Sequence, residues 1–298
     1  MRELLGEPLA RHGFWRVGGP LERLVFVDTA AELRALGRVD HVLGNGSNLL
    51  VPDEGLAGTT VRLVGEFREL SVVDEPDGTV LAIVGAGLLN AVLLQRLDRL
   101  GLGGLGCLAG VPGTVGGAVA MNAGTVLGEV AERLRWVDGL DGTRLHRSEL
   151  PMGYRHGGLP PGFVVLRAAF SLHRDAVADE QARVAHHLTR RKATQPLDLP
   201  SCGSVFRNPP GDHAGRLIEA AGLKGWSSGA ASISERHANF IVNRGGATAT
   251  DVMRCIRTAW SGALAAGGVR LVPEVHVLGR WDPALWPLPC VGNDGTLG

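Results

Sequence analysis

Two glycine-rich stretches carry the strongest chemical suggestion in the chain. They are GNGSNLL, Gly44 to Leu50, and AGVPGTVGGAVAMNAG, Ala109 to Gly124. Each follows an apolar segment and mixes glycine with small polar residues: Ser47 and Asn48 in the first, Thr114 and Asn122 in the second. Backbone of this kind exposes N–H groups that can cradle a pyrophosphate. No GKS or GKT is present, which excludes a P-loop, and a pair of ordinary tight turns fits the same residues. A third run, GLGGLG at Gly101 to Gly106, has the G-x-G-x-x-G spacing. A helical pattern precedes it, where that fingerprint needs a strand, and no acidic residue matches the one expected about 20 residues on. It reads as a turn. Ser204 in SCGSVFRNP, Arg155 in GYRHG and Glu274 in LVPEVHVLG are polar residues in unexpected settings, but spacing alone gives none a catalytic role. No HExxH or GxSxG occurs.

The rest of the chain must position these loops. Its 298 residues suggest two domains. A 45% hydrophobic and 20% charged composition is that of a globular chain. Thirty basic residues balance 30 acidic ones, which argues against a broad electrostatic grip on nucleic acid or on an anionic membrane. The 44 glycines are about twice the average share and have no collagen period. Cys107, Cys202, Cys255 and Cys290 are far apart with no CxxC. Free thiols in a cytoplasmic setting are the expectation, with no metal site. The opening MRELLGEPLARHGFW lacks the apolar core of a secretory signal. Leu100 to Gly128 has no charge, but its ten glycines suit buried turns and not a membrane span.

Strands are expected at LVFVDT, HVLG, TTVRL, ELSVV, TVLAIVGAG, RLRWVDG and VVLRAAFSL. Thr29 and Glu32 give a capping-box signature for a short helix through Leu36. Leu89, Leu93, Leu97 and Leu100 give helical spacing over Leu88 to Arg99. The second half offers helices at Asp175 to Lys192, AGRLIEAAG and Thr250 to Ala266. It also offers strands at ANFIVN and VRLVPEVHVLG. The sum is an α+β protein with a glycine-rich first lobe, 1–175, a connecting helix, 176–192, a smaller mixed lobe, 193–281, and a loose tail, 282–298.

The ordered set WRVGGP, LGNGSNLLVPDEGLAG, AGVPGTVGGAVAMNAG, GYR, RRKATQPL, PSCGSVFRNP, AGRLIEAAGLKG, SERHANFIVN and PEVHVLG closely resembles the UDP-N-acetylenolpyruvoylglucosamine reductase (MurB) family. The resemblance covers most of Trp15 to Gly279. It implies a vanillyl-alcohol-oxidase-like lobe binding FAD without a covalent link, then a substrate-binding lobe. The matching cofactor positions are Gly44, Asn45, Gly46, Ser47, Asn48 and Leu49 in the first loop. In the second they are Gly110, Val111, Pro112, Gly113, Thr114, Gly116, Gly117, Asn122, Ala123 and Gly124. Bulk at Gly116 or Gly117 would then press on the cofactor.

The resemblance further implies that NADPH reduces the FAD and that UDP-N-acetylglucosamine enolpyruvate then receives hydride from flavin N5. By the family pattern Ser204 supplies the proton, while Arg155 and Glu274 flank the substrate carboxylate. Tyr154, Arg207, Asn208 and His237 match substrate-side positions. Arg207 stands where many members have lysine, and His156–Gly157 replaces the family's polar pair after GYR. The implied protein is a cytoplasmic monomer of peptidoglycan precursor synthesis. Another flavoenzyme on the same lobe, or a catalytically silent FAD or nucleotide-sugar binder, is the alternative.

Overall fold

A computed structural model describes residues 1–286 of the chain. They fall into two compact units. Unit 1 is Met1–Leu4, Leu24–Asn45 and Gly58–Arg191; unit 2 is Leu5–Arg23, Gly46–Ala57 and the chain from Lys192 onward.

Unit 1 is built on a five-stranded antiparallel sheet. Its order is Arg144–His146, Leu134–Gly139, Val165–Leu172, Val80–Gly85, Leu70–Asp74. The central strands obey the period of two: Val80, Ala82 and Val84 are buried, while Leu81 and Ile83 between them are half-buried. Helix α1, Ala30–Ala35, starts at Thr29, whose hydroxyl accepts from Glu32 N. The Glu32 carboxylate takes the Asp28 N–H in place of the Thr29 N–H, so only half of the expected reciprocal box forms. Helix α2, Asn90–Arg99, buries Leu93 and Leu97 one turn apart. The uncharged run was expected to be turns throughout, yet it contains α3, Val115–Ala120. Two glycines disfavour that helix, but burial of Val115, Ala118 and Val119 on one face outweighs the local cost. Helix α4 is Val177–Thr194.

The GLGGLG turn does cradle an anion, and the anion is the protein's own. Gly104 N and Gly106 N donate to the two oxygens of Glu180 on α4, at 2.7 and 2.5 Å. A Cβ at Gly103 or Gly106 would sit 2.7 or 2.6 Å from those oxygens. Glycine is therefore needed here to let a carboxylate approach backbone.

Unit 2 holds α5, Ala214–Ala220, and α6, Ala249–Gly267, beside a three-stranded antiparallel sheet of Ser227–Ser228, Ala231–Ile233 and Ile241–Asn243. Helix α6 is capped twice. Thr248 and Asp251 form a capping box, and Asp53 accepts from Ala249 N, Thr250 N and Thr250 Oγ1 at 2.7, 2.9 and 2.7 Å. The long final strand expected at VRLVPEVHVLG is reduced to His276–Val277, paired in parallel with Leu49–Leu50. Pro273 has no N–H to give a ladder and makes only a single bridge to Phe206.

The expected loose tail is ordered over its first residues. Leu285 and Trp286 donate main-chain bonds to the Asp282 carbonyl and pack on the unit 2 core. Positions 287–298, with Cys290, lie outside the described residues. Cys107, Cys202 and Cys255 are free and buried. No described helix is long and apolar enough to cross a membrane. Among the described residues no cluster of three or more His, Cys, Asp or Glu could hold a metal.

Candidate functional site

Within unit 1 the start of the first glycine loop meets the second. A Cβ on Gly44 would lie 2.9 Å from Thr114 Oγ1. The second loop is fixed by its links to the start of α2. Asn90 N donates to the Gly113 carbonyl, Val115 N to Leu88 O, Gly116 N to Ala86 O, and Asn90 Nδ2 to Val111 O. The N–H groups of Gly44 and Gly113 donate to no acceptor among the described residues. The two loops border a cavity of about 150 Å³, with Leu43, Leu63, Leu89, Phe163 and Val165 on its apolar walls. An aromatic ring system fits such walls and a diphosphate fits such backbone, which are the two halves of a dinucleotide.

The glycines differ in what they permit. A Cβ at Gly116 would meet Ala86 Cβ at 3.0 Å and Ala86 O at 3.2 Å, so bulk there presses on the chain just after strand Val80–Gly85. Gly116 also lines the cavity, so bulk there would press on both chain and cavity. Gly117 lines the cavity, and its Cβ would meet only Thr114 Oγ1, at 3.6 Å. Gly110 and Gly113 have φ of +72° and +138°, which side chains resist.

Asn122 is a buried hub. Its Nδ2 donates to Glu129 Oε2 and to the Gly153 carbonyl, and its Oδ1 accepts from Ala131 N. All its bonds are thus made to protein. Ala123 beside it is buried, and a Cβ on Gly124 would collide with Gly128 O at 2.4 Å. Arg155 lies close by with φ +56°, donating to the Gly124 carbonyl at 3.2 Å, its guanidinium 4.9 Å from the Tyr154 ring centre. Tyr154 is exposed.

Gly46, Ser47, Asn48 and Leu49 belong to unit 2. There the Asn48 amide donates to the Glu274 carbonyl at 3.0 Å, and Asn48 O accepts from His276 N at 3.1 Å. Glu274 N donates to Val205 O at 2.7 Å, and Arg207 N to Val272 O at 2.9 Å. Ser204 bridges Phe240 on its other side. Unit 2 therefore brings Ser204 and Glu274 onto adjacent extended segments. Asn239, which sequence reasoning did not single out, clamps the serine segment: its Oδ1 accepts from Phe206 N and its Nδ2 donates to Phe206 O. Asn208 caps α5 by accepting from Ala214 N. His237 Nδ1 accepts from Asn239 N at 3.3 Å, which places the ring proton on Nε2. Burial lowers the His237 pKa and keeps it neutral near pH 7. Burial, then the Glu274 charge, pushes the Cys202 thiol well up, so it is no nucleophile.

Residues 24–145, which hold the glycine loop at Ala109–Gly124 and the start of the first, match the model of an FAD binding domain, which defines the class as a flavin-binding oxidoreductase. Residues 195–278 match the UDP-N-acetylenolpyruvoylglucosamine reductase C-terminal domain. A reductase of that name from Alkalilimnicola ehrlichii is 46% identical over 92% of this chain and 94% of its own. One from Moorella thermoacetica is 44% identical, covering 94% of each. The crystal structure of the Thermus caldophilus reductase superposes with a TM-score of 0.82 at 40% identity, over 93% of this chain and 98% of that one. The chain belongs to the UDP-N-acetylenolpyruvoylglucosamine reductase family.

Proposed function

We propose that this chain reduces UDP-N-acetylglucosamine enolpyruvate to UDP-N-acetylmuramate with NADPH as the electron source, FAD being held non-covalently in unit 1. The observation that carries this is the Glu274 N to Val205 O bond. It sets Ser204 beside the Glu274 segment inside the region that matches the family's C-terminal domain. FAD held in unit 1, once reduced by hydride from NADPH, would supply the hydride that adds to the terminal enolpyruvyl carbon.

The remaining steps belong to the chain. Addition of hydride leaves electron density on the carbon next to the substrate carboxylate. Arg155 stabilises that charge with fixed donors, at no cost in reorganisation. Ser204 gives its hydroxyl proton to that carbon. A serine is a weak acid, and it serves here because the carbanion is more basic and held in line. Glu274 orients the carboxylate. Arg207 meets a phosphate with a planar fork where lysine would offer a point charge, and Tyr154, Asn208 and His237 complete the substrate contacts.

The test is a spectrum. Purified protein should be yellow, release all its flavin on acid precipitation and bleach with NADPH. Without oxygen it should recolour on addition of the enolpyruvyl substrate. A flavin that recolours only with oxygen would identify a different oxidase, and protein that takes up no FAD would refute the reading.

A further inference from the structure

Arg155 occupies a backbone position that arginine resists. Gly153 to His156 close a tight turn, in which Gly153 N donates to His156 O and His156 N to Gly153 O, both at 2.9 Å. Arg155 is the third of its four residues and has φ +56°, where glycine or asparagine is favoured. A residue held against its preference needs surroundings that over-determine it. Asn122 supplies them. It is 1% exposed, and its Nδ2 donates to the Gly153 carbonyl at 2.9 Å and to Glu129 Oε2 at 2.7 Å. Both amide hydrogens are thereby spent, and Oδ1 accepts from Ala131 N at 2.9 Å. Asn122 itself has φ +42°, which asparagine tolerates better than most side chains. The same short segment receives the guanidinium, since Arg155 Nη2 donates to Gly124 O. After the turn the chain runs against the end of α3: Gly157 N donates to Ala120 O at 3.0 Å, and a Cβ there would lie 2.3 Å from Val119 O.

We propose that Asn122 is a positioning residue for Arg155 and not a contact of the cofactor. The proposal rests on the reading above, in which Arg155 meets the carboxylate side of the substrate. A buried amide with both hydrogens given to protein has no donor left for a ligand. What it does hold is the main chain of the turn. Once the Gly153 carbonyl is released, the turn can relax out of the conformation that arginine resists, and the guanidinium leaves its place. The two roles differ in what fails first. Loss of a flavin contact lowers FAD affinity, whereas loss of a fastener on the turn lowers recognition of the carboxylate.

The test uses the full chain loaded with FAD. Calorimetric titration compares UDP-N-acetylmuramate, which carries the carboxylate, with UDP-N-acetylglucosamine, which lacks it. Wild type should favour the first, and Arg155→Lys should reduce that preference by roughly tenfold, as expected for a charge-assisted hydrogen bond. Asn122→Gly keeps the backbone freedom and removes the amide. It should reduce the preference by a similar factor and leave FAD affinity near the wild-type value. Combined with Arg155→Lys it should lower the preference no further, because the two residues act as a unit. Loss of a merely structural residue would weaken both ligands alike. Asn122→Asp keeps the size, the backbone tolerance and the acceptor for Ala131 N but loses the donor to Gly153 O, and it carries the same comparison if the glycine variant does not fold. Failure of both to fold would make Asn122 a residue of the fold alone and overturn the proposal. So would an intact preference in either folded variant, whether or not FAD affinity has fallen. If wild type shows no preference, or Arg155→Lys keeps it in full, the reading of Arg155 falls and takes the proposal with it.

Discussion

Replacing Asp53 by alanine should loosen unit 2 without touching a reacting group. Its carboxylate takes three donors at the start of α6, two of them backbone. Ala249 is 0% exposed, so its N–H has no route to water once the carboxylate is gone. An unsatisfied buried donor costs about 1–3 kcal/mol. Thr250 is half-buried, so water can replace part of what it loses. Loss of the negative charge at a helix N-terminus adds about 0.3–1 kcal/mol. The capping box of Thr248 and Asp251 survives and limits the damage. The sum is about 3 kcal/mol, or roughly 6 °C in melting temperature for a chain of this size. Asp53→Asn keeps one acceptor and should lose about half as much. Far-UV circular dichroism melting at matched flavin content measures both. If Asp53→Ala melts within about 1 °C of wild type, the reasoning from buried donors is wrong.

Ser204→Ala should leave flavin reduction by NADPH within a few-fold of wild type and slow substrate-dependent reoxidation by at least ~10²-fold. Anaerobic stopped-flow absorbance separates the halves, and unchanged reoxidation would remove Ser204 from the mechanism. Gly117→Val should give folded, flavin-poor protein, because its side chain enters the cavity. Gly116→Val should lower the melting temperature even without ligand, and equal behaviour of the two would contradict the contacts described. The depressed His237 pKa makes the native state bind fewer protons than the unfolded chain. Its contribution to stability is therefore full above the unfolded value near 6.5 and is lost as pH falls through the folded value. His237→Asn should reduce the rise of the urea midpoint between about pH 5 and pH 7.5; an unaltered rise would rule this out.

Local patterns foretold the elements with strong periodicity. The alternation in TVLAIVGAG and the leucine spacing of α2 correspond to Val80–Gly85 and Asn90–Arg99. Helix α3 was hidden because glycine propensity argues against it, and the burial that decides the matter comes from distant residues. Pro273 marked the break in the last apolar run, yet the β-branched residues around it suggested a strand. The partner of GLGGLG could not be read at all: Glu180 is an ordinary first-turn acid of α4 until the fold places it on Gly104 and Gly106. The chemistry-bearing triplet was legible only through family likeness. Asn239 went unnoticed because an asparagine in ANFIVN gives no local hint that both its amide atoms grip Phe206.

Unit 2 is assembled from segments far apart in the sequence, and synthesis runs in one direction. Leu5–Arg23 and Gly46–Ala57 leave the ribosome early, but the helices and sheet that cover them begin only after Lys192. Trp15 illustrates the wait: its indole N–H ends on Ile241 O, and its carbonyl accepts from Asn243 Nδ2. At about 5–20 residues per second, that tryptophan spends on the order of ten seconds or more as exposed apolar surface before its partners exist. A long-range closure of this kind forms slowly once the chain is complete. A nascent chain stalled before Ile241 thus presents Trp15 and Val17 to whatever holds unfinished proteins, and release from that holding is timed by synthesis of the segment that follows Lys192.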